Sequence, residues 1–122
     1  MKKILIIEDE ILIQRSLKML LERRGHFVMT TPSGREAISL IKSHKFDKII
    51  CDLMLQDISG FDVIEESKLT LGPLVIKDKF IIITAYSSSH VLEKASSYNC
   101  LVINKPFDNL EKTLDLFTDE KK

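Results

Sequence analysis

Residues 3–10 read Lys3-Ile4-Leu5-Ile6-Ile7-Glu8-Asp9-Glu10. Four aliphatic residues in a row, with no polar alternation, make a strand covered on both faces, which is the position of an interior strand in a parallel sheet. The run stops abruptly at three acids, so the carboxyl end of that strand delivers negative charge. The same grammar returns along the chain. Lys48 to Cys51 is an apolar run that ends on Asp52, Phe80 to Ile83 ends on Thr84-Ala85, and Leu101 to Ile103 ends on Asn104-Lys105-Pro106. Phe27 to Thr30 is a fifth, shorter run.

Helical patterns fill the intervals. Ile13, Leu17, Leu20 and Leu21 recur on one helical stripe, closed by Arg23, Arg24 and Gly25. Ser33 with Glu36 forms a capping-box pattern ahead of Ala37, Leu40 and Ile41, and a loop from Leu53 to Ser59 precedes Phe61, Val63 and Ile64. A Ser87-Ser88-Ser89 cluster caps a helix carrying Val91, Leu92 and Ala95. Asp108 with Glu111 is a second capping-box pattern before Leu110, Leu114 and Phe117, and the last helix frays into residues 118–122. The stretch Leu69 to Lys79, with Gly72-Pro73 and an exposed-looking Leu74-Val75-Ile76, reads as a long connection. Five strands alternating with five helices predict a doubly wound α/β fold, with helices on both sides of a parallel sheet.

Composition bounds the function. The 122 residues suffice for one domain, and 44% hydrophobic with 30% charged residues excludes a disordered chain. The 18 Lys and Arg balance 18 Asp and Glu, which removes the general electrostatic attraction to nucleic acid or to an anionic membrane. No apolar run approaches the roughly 18 residues of a membrane-spanning helix, and the acids at 8–10 interrupt any secretory leader. The expected location is cytoplasmic. Cys51 and Cys100 each adjoin an apolar run, as buried free thiols do, and no zinc-ligand spacing is present. His26, His44 and His90 share no spacing and read as surface or packing residues.

In open parallel sheets, ligands bind beyond the carboxyl ends of the strands. There the sequence places Glu8, Asp9, Asp52, Thr84 and Lys105. Crowded carboxylates call for a hard divalent cation with oxygen ligands, and Mg²⁺ suits a site that also leaves room for a phosphate oxygen. A lysine and a threonine opposite the carboxylates suit a phosphoryl group, the one neutralising an oxygen and the other donating a hydrogen bond. Asp52, alone at the end of the central strand, is the candidate nucleophile, and its attack on phosphorus gives an aspartyl phosphate.

Taken together, Glu8-Asp9, Asp52-Leu53-Met54, Gly60, Thr84-Ala85 and Lys105-Pro106-Phe107 resemble the receiver domain of two-component response regulators. The separations between these residues agree with that family, and the resemblance covers essentially all of residues 1–122 as one receiver domain. It implies a flavodoxin-like (βα)5 fold with strand order 2-1-3-4-5 and a cis peptide before Pro106. It implies Asp52 as phosphoacceptor, with Glu8, Asp9, Asp52 and the backbone carbonyl of Met54 around Mg²⁺, and Thr84 and Lys105 on the phosphoryl oxygens. The implied partners are a sensor histidine kinase or phosphotransfer protein as donor, and a downstream protein target or a missing output domain as recipient of the signal. Nucleic acid and membrane are not implied for this domain. Such chemistry is self-directed, without a turnover substrate of its own.

Two departures stand out: Gln56 occupies a position where the family often has proline, and Val102 stands where it usually has an aromatic residue. Tyr86, Tyr98 and Phe107 are the candidates to take over the aromatic's role. A receiver-like interaction module that takes no phosphate is the alternative reading. A phosphatase of the haloacid dehalogenase type is opposed by Met54, where an Asp-x-Asp pattern would need a carboxylate, and a flavin-binding flavodoxin by the lack of a phosphate loop after the first strand.

Overall fold

The computed structural model describes residues 1–85 and 88–119. Its strands are β1 (Lys3–Ile7), β2 (Phe27–Thr31), β3 (Lys48–Asp52), β4 (Phe80–Thr84) and β5 (Leu101–Asn104). All pair in parallel in the order β2-β1-β3-β4-β5. The helices are α1 (Ile11–Arg23), α2 (Gly34–Ser43), α3 (Gly60–Leu71), α4 (Pro73–Lys79), α5 (Ser89–Ser96) and α6 (Leu110–Thr118). The doubly wound fold and its strand order are as the sequence predicts.

The pleat sorts the strand residues between two cores. Ile4, Ile6, Ile50, Ile81 and Ile83 face one side, where Leu17 and Leu21 of α1 meet Leu114 and Phe117 of α6. Leu5, Ile7, Ile49, Cys51, Phe80 and Ile82 face the other, against Ala37, Ile41, Val63, Ile64, Ile76 and Ala95 from α2 to α5. Period-two alternation sends successive side chains to opposite faces, so uninterrupted aliphatic strands are what two helical layers require. Cys51 and Cys100 are buried and free, and β4 separates their strands.

One expectation is corrected. The stretch Leu69 to Lys79 is not an irregular connection: α3 continues to Leu71, and α4 follows after a single residue. Gly72 takes φ +87°, a conformation that suits glycine, and Pro73 starts α4 where its missing N–H costs nothing. The short helix buries one residue, Ile76, and leaves Leu74 exposed, so it carries no apolar stripe for the sequence to display. Two lysines fasten the region to the rest of the fold: Lys48 Nζ donates to the carbonyl of Asp78 at 2.7 Å, and Lys79 Nζ to that of Phe46 at 2.5 Å.

The helix starts differ in detail. Ser88 caps α5 by accepting from Val91 N, while Ser87 lies outside the described residues, as do Tyr86 and residues 120–122. α6 is capped by Asn109, which accepts from Lys112 N, instead of by Asp108. Ser33 caps α2 through Glu36 N, but the carboxylate partner comes from afar: Asp57 accepts from Arg35 N, Gly34 N and Ser33 Oγ at 2.8–3.0 Å. An aspartate on the amide groups of a helix start is favoured by both hydrogen bonding and the helix dipole.

These bonds, first among them that from Arg35 N, together outweigh the opposing effect of burial and hold the Asp57 carboxyl well below the usual carboxylate range. A depressed folded value stabilises the fold above the unfolded value of about 3.9, and the contribution fades as pH falls toward the folded value. Urea unfolding of Asp57→Asn is expected to show a deficit of about 1 kcal/mol at neutral pH, shrinking steadily as the titration is repeated below about pH 4.

Candidate functional site

Each functional side chain owes its place to a strand end. Glu8 follows β1, Asp52 closes β3, Thr84 closes β4 and Lys105 follows β5. The register brings Asp52 beside Ile83, one residue before Thr84, and Thr84 beside Asn104, one residue before Lys105. Lys105 N donates to the Thr84 carbonyl at 2.8 Å, and the Lys105–Pro106 peptide is cis, as the resemblance implies.

Lys105 is the centre of the arrangement. Its side chain is 5% exposed, and Nζ donates to Glu10 Oε1 at 2.8 Å, Glu8 Oε1 at 2.9 Å and Asp52 Oδ2 at 3.0 Å. The Glu8 and Asp52 side chains are almost wholly buried, whereas Glu10 reaches in from the surface with 59% of its side chain exposed. One ammonium thus faces three carboxyl groups. Burial alone would lower the lysine's affinity for its proton, but the bonds to Glu10, Glu8 and Asp52 outweigh it and raise the value above that of a free lysine. Burial, reinforced by the neighbouring Asp52, pushes Glu8 up to about 7.

The remaining oxygens are also held. Glu8 Oε2 accepts from Glu10 N, Asp52 Oδ1 accepts from Met54 N at 3.1 Å, and Gln14 Nε2 donates to the Glu8 carbonyl. Behind Asp52, the N–H of Gly60 donates to the Leu53 carbonyl, and a Cβ at position 60 would stand 2.4 Å from the Asp52 carbonyl oxygen. Only glycine permits that approach. It sets the first residue of α3 directly against the backbone of Asp52.

The third carboxylate gathered with Glu8 and Asp52 is Glu10, whose oxygens lie with theirs within 4.8 Å. Sequence reasoning counted Glu10 only as part of the acidic triplet, although its place two residues beyond Glu8 was the available signal. Asp9 lies half-buried beside this group and lines a shallow cleft of about 260 Å³ with Pro32, Ser33, Gln56 and Asp57. Its carboxyl is raised, first by burial and then by the charge of Asp52. Thr84 is fully buried at its strand end. Met54 meets Asp52 through its amide, its side chain being exposed. Hard oxygen donors crowded around one buried edge fit a small divalent cation such as Mg²⁺.

A doubly wound sheet that collects carboxylates, a threonine and a lysine at its carboxyl edge suits the class of proteins that handle a phosphoryl group with a divalent cation. Residues 4–115 match the family described as the response regulator receiver domain. The chain is 33% identical over 115 residues to the transcriptional regulatory protein ZraR of Escherichia coli (strain K12), covering 92% of this chain and 25% of that protein. It is 32% identical over 126 residues to the response regulator SaeR of Staphylococcus aureus (strain USA300), covering 100% of this chain and 53% of that one. The chain therefore spans between a quarter and about half of these relatives. Among solved structures, the response regulator TrrA of Thermotoga maritima, in complex with Mg²⁺-BeF, superposes with a TM-score of 0.74 at 31% identity, covering 96% of this chain and 99% of that one.

The chain belongs to the response regulator receiver domain family. Its function is that of a phosphorylatable receiver in two-component signalling, a family that is in general not one of classical enzymes. Among the described residues no helix is long and apolar enough to cross a membrane.

Removing one partner from a buried charge cluster leaves the others uncompensated, which typically costs about 3 kcal/mol. Lys105→Met is accordingly expected to lose that order of stability in urea unfolding without divalent cations. Millimolar Mg²⁺ should recover more stability in the variant than it adds to the wild type.

Proposed function

We propose that residues 1–122 form one receiver domain in which Asp52 is the phosphoacceptor. The observation that carries this reading is the three-way bond of Lys105 to Asp52, Glu8 and Glu10 at 2.8–3.0 Å. An ammonium held this close to the candidate nucleophile is positioned to follow negative charge when it moves outward onto a phosphoryl group.

The donor is the phosphohistidine of a sensor histidine kinase or phosphotransfer protein. An oxygen of Asp52 forms a bond to phosphorus as the nitrogen–phosphorus bond breaks, and the departing imidazole takes up a proton from solvent. Lys105 exchanges its bond with Asp52 for one to a phosphoryl oxygen, and the hydroxyl of Thr84 donates to another. The Met54 amide keeps the Asp52 carboxylate oriented throughout. Glu8, Asp9, Asp52 and the Met54 carbonyl, with Glu10 as the further carboxylate, would hold Mg²⁺, which would supply neutralisation of the charge that builds on the transferred group. Hydrolysis of the acyl phosphate by water returns the free carboxylate, so the domain's catalysis is confined to its own phosphorylation and dephosphorylation.

The donor's docking surface is the apolar groove of about 220 Å³ between α1 and the segment after β5, lined by Leu12, Ile13, Ser16, Leu17, Phe107 and Leu110. It flanks the site because α1 begins right after Glu10 and Phe107 lies two residues past Lys105. The signal leaves through the surface of α5, β5 and α6, toward a downstream protein or an output domain, without contact of this domain to nucleic acid or membrane. With a kinase as donor, the place of action is the cytoplasm.

Incubation with a small phosphodonor and Mg²⁺ is expected to label the wild type with one acyl phosphate, labile to acid, to base and to hydroxylamine. Asp52→Asn should take up none. Undiminished labelling of that variant, read by intact mass, would reject Asp52 as the acceptor.

A further inference from the structure

The helix that is to carry the signal is thinly held. Of α5, only Ala95 is buried, and Val91 packs partly against the core. Its directional contacts come from α3. The ring of Phe61 stacks on that of Tyr98, just beyond the end of α5, with centroids 6.0 Å apart and 25° between planes. Lys94, in the last turn of α5, places its ammonium 4.6 Å from the centre of the Phe61 ring. Lys68 of α3 covers the Tyr98 ring at 4.7 Å, and the Tyr98 hydroxyl donates to Glu65, which also pairs with Lys68 at 3.1 Å. Cation, ring, ring and cation form one column from α5 to α3, closed by a carboxylate.

Phe61, within this column, is joined through the chain to the phosphoacceptor. Phe61 follows Gly60, whose N–H bonds the Leu53 carbonyl and whose Cα lies against the carbonyl of Asp52. Met54, whose amide holds the Asp52 carboxylate, begins the loop that ends at the Ser59 cap of α3. Val102, in β5, is an aliphatic residue packed against the core and offers neither a ring nor a hydrogen bond to the site. Cation–ring contacts depend steeply on position, so a small displacement of Phe61 makes or breaks them.

We propose that the Phe61–Tyr98 column, with Lys94, Lys68 and Glu65, is the link that carries the state of Asp52 to α5. The inference rests on Asp52 being the phosphoacceptor. The column has two arrangements, closed and parted, and displacement of the Leu53–Ser59 loop when Asp52 is modified shifts the balance between them. Phe61 and Tyr98 act as positioning residues for α5, and neither touches the reacting atoms.

The test follows backbone amide shifts by NMR as Mg²⁺ and then beryllofluoride, a phosphoryl mimic, are added to the full chain. In the wild type, amides at Met54 and Gly60 and those of Val91, Leu92 and Ala95 should all move. In Phe61→Ala, which loses the aromatic pair, and in the surface variant Tyr98→Phe with Lys94→Gln, which keeps the rings but loses the hydroxyl bond to Glu65 and the Lys94 cation over Phe61, the site amides should move fully while the α5 shifts fall about threefold or more. Phe61→Tyr keeps the stack and should restore the response. Full α5 shifts in the surface variant, or a wild type whose site responds while α5 stays still, overturn the link and leave Asp52 as acceptor intact. A wild type in which nothing near Asp52 moves overturns both. The surface variant alters only partly or fully exposed side chains, so it decides the matter even if Phe61→Ala does not fold.

Discussion

The structure depends on one electrostatic constraint: acid groups brought to the buried carboxyl edge of a parallel sheet must be neutralised there. Glu8 and Asp52 have nearly no exposure, and Lys105 arrives from the far side of β4 to meet both. The order β2-β1-β3-β4-β5 brings the ends of β1, β3 and β5 to one edge, with only β4 between β3 and β5. The sheet's aliphatic interior fixes the register, because a slip of one residue would turn every strand side chain to the wrong core and carry Asp52 away from Lys105. Packing and charge thus specify the same alignment.

Much of this was legible in the chain. Strands buried on both faces announce themselves as aliphatic runs, and polar residues at their ends stand out by contrast, which is why Asp52, Thr84 and Lys105 could be placed before any coordinates. The readings that missed depend on tertiary partners. α4 buries only Ile76 and is tied down by Lys48 of β3 and by its own Lys79, so neither periodicity nor capping marks it. Asp57 caps α2 from 22 to 24 residues away, a distance no local motif spans. Glu10 stayed one of three acids in the sequence because nothing local shows which of them the turn from β1 into α1, which begins at Ile11, brings to Lys105.

The residues around α4 divide the molecule functionally as well. At the amino ends of the strands, Lys48 bonds the Asp78 carbonyl and pairs with the Asp119 carboxylate, Lys79 bonds the Phe46 carbonyl, and both consolidate the frame. At the carboxyl ends, the lysine is spent on carboxylates. Lysines that bond carbonyls of neighbouring segments hold the frame together, whereas one shared among three carboxylates at the functional edge can be drawn toward new negative charge beside them. The same side chain is therefore a brace at one end of the sheet and a movable part at the other.

Glu10 gives that movable part a further property. Because it binds Lys105 from the surface, the resting site is already furnished with its own counterion, and an incoming cation competes with an ammonium instead of entering empty space. A potassium or sodium ion brings no more charge than the lysine and must still shed water to enter. An ion of twice the charge can outbid the ammonium and let it turn aside. Discrimination by valence is thereby built into the edge of the sheet, ahead of any selectivity by size.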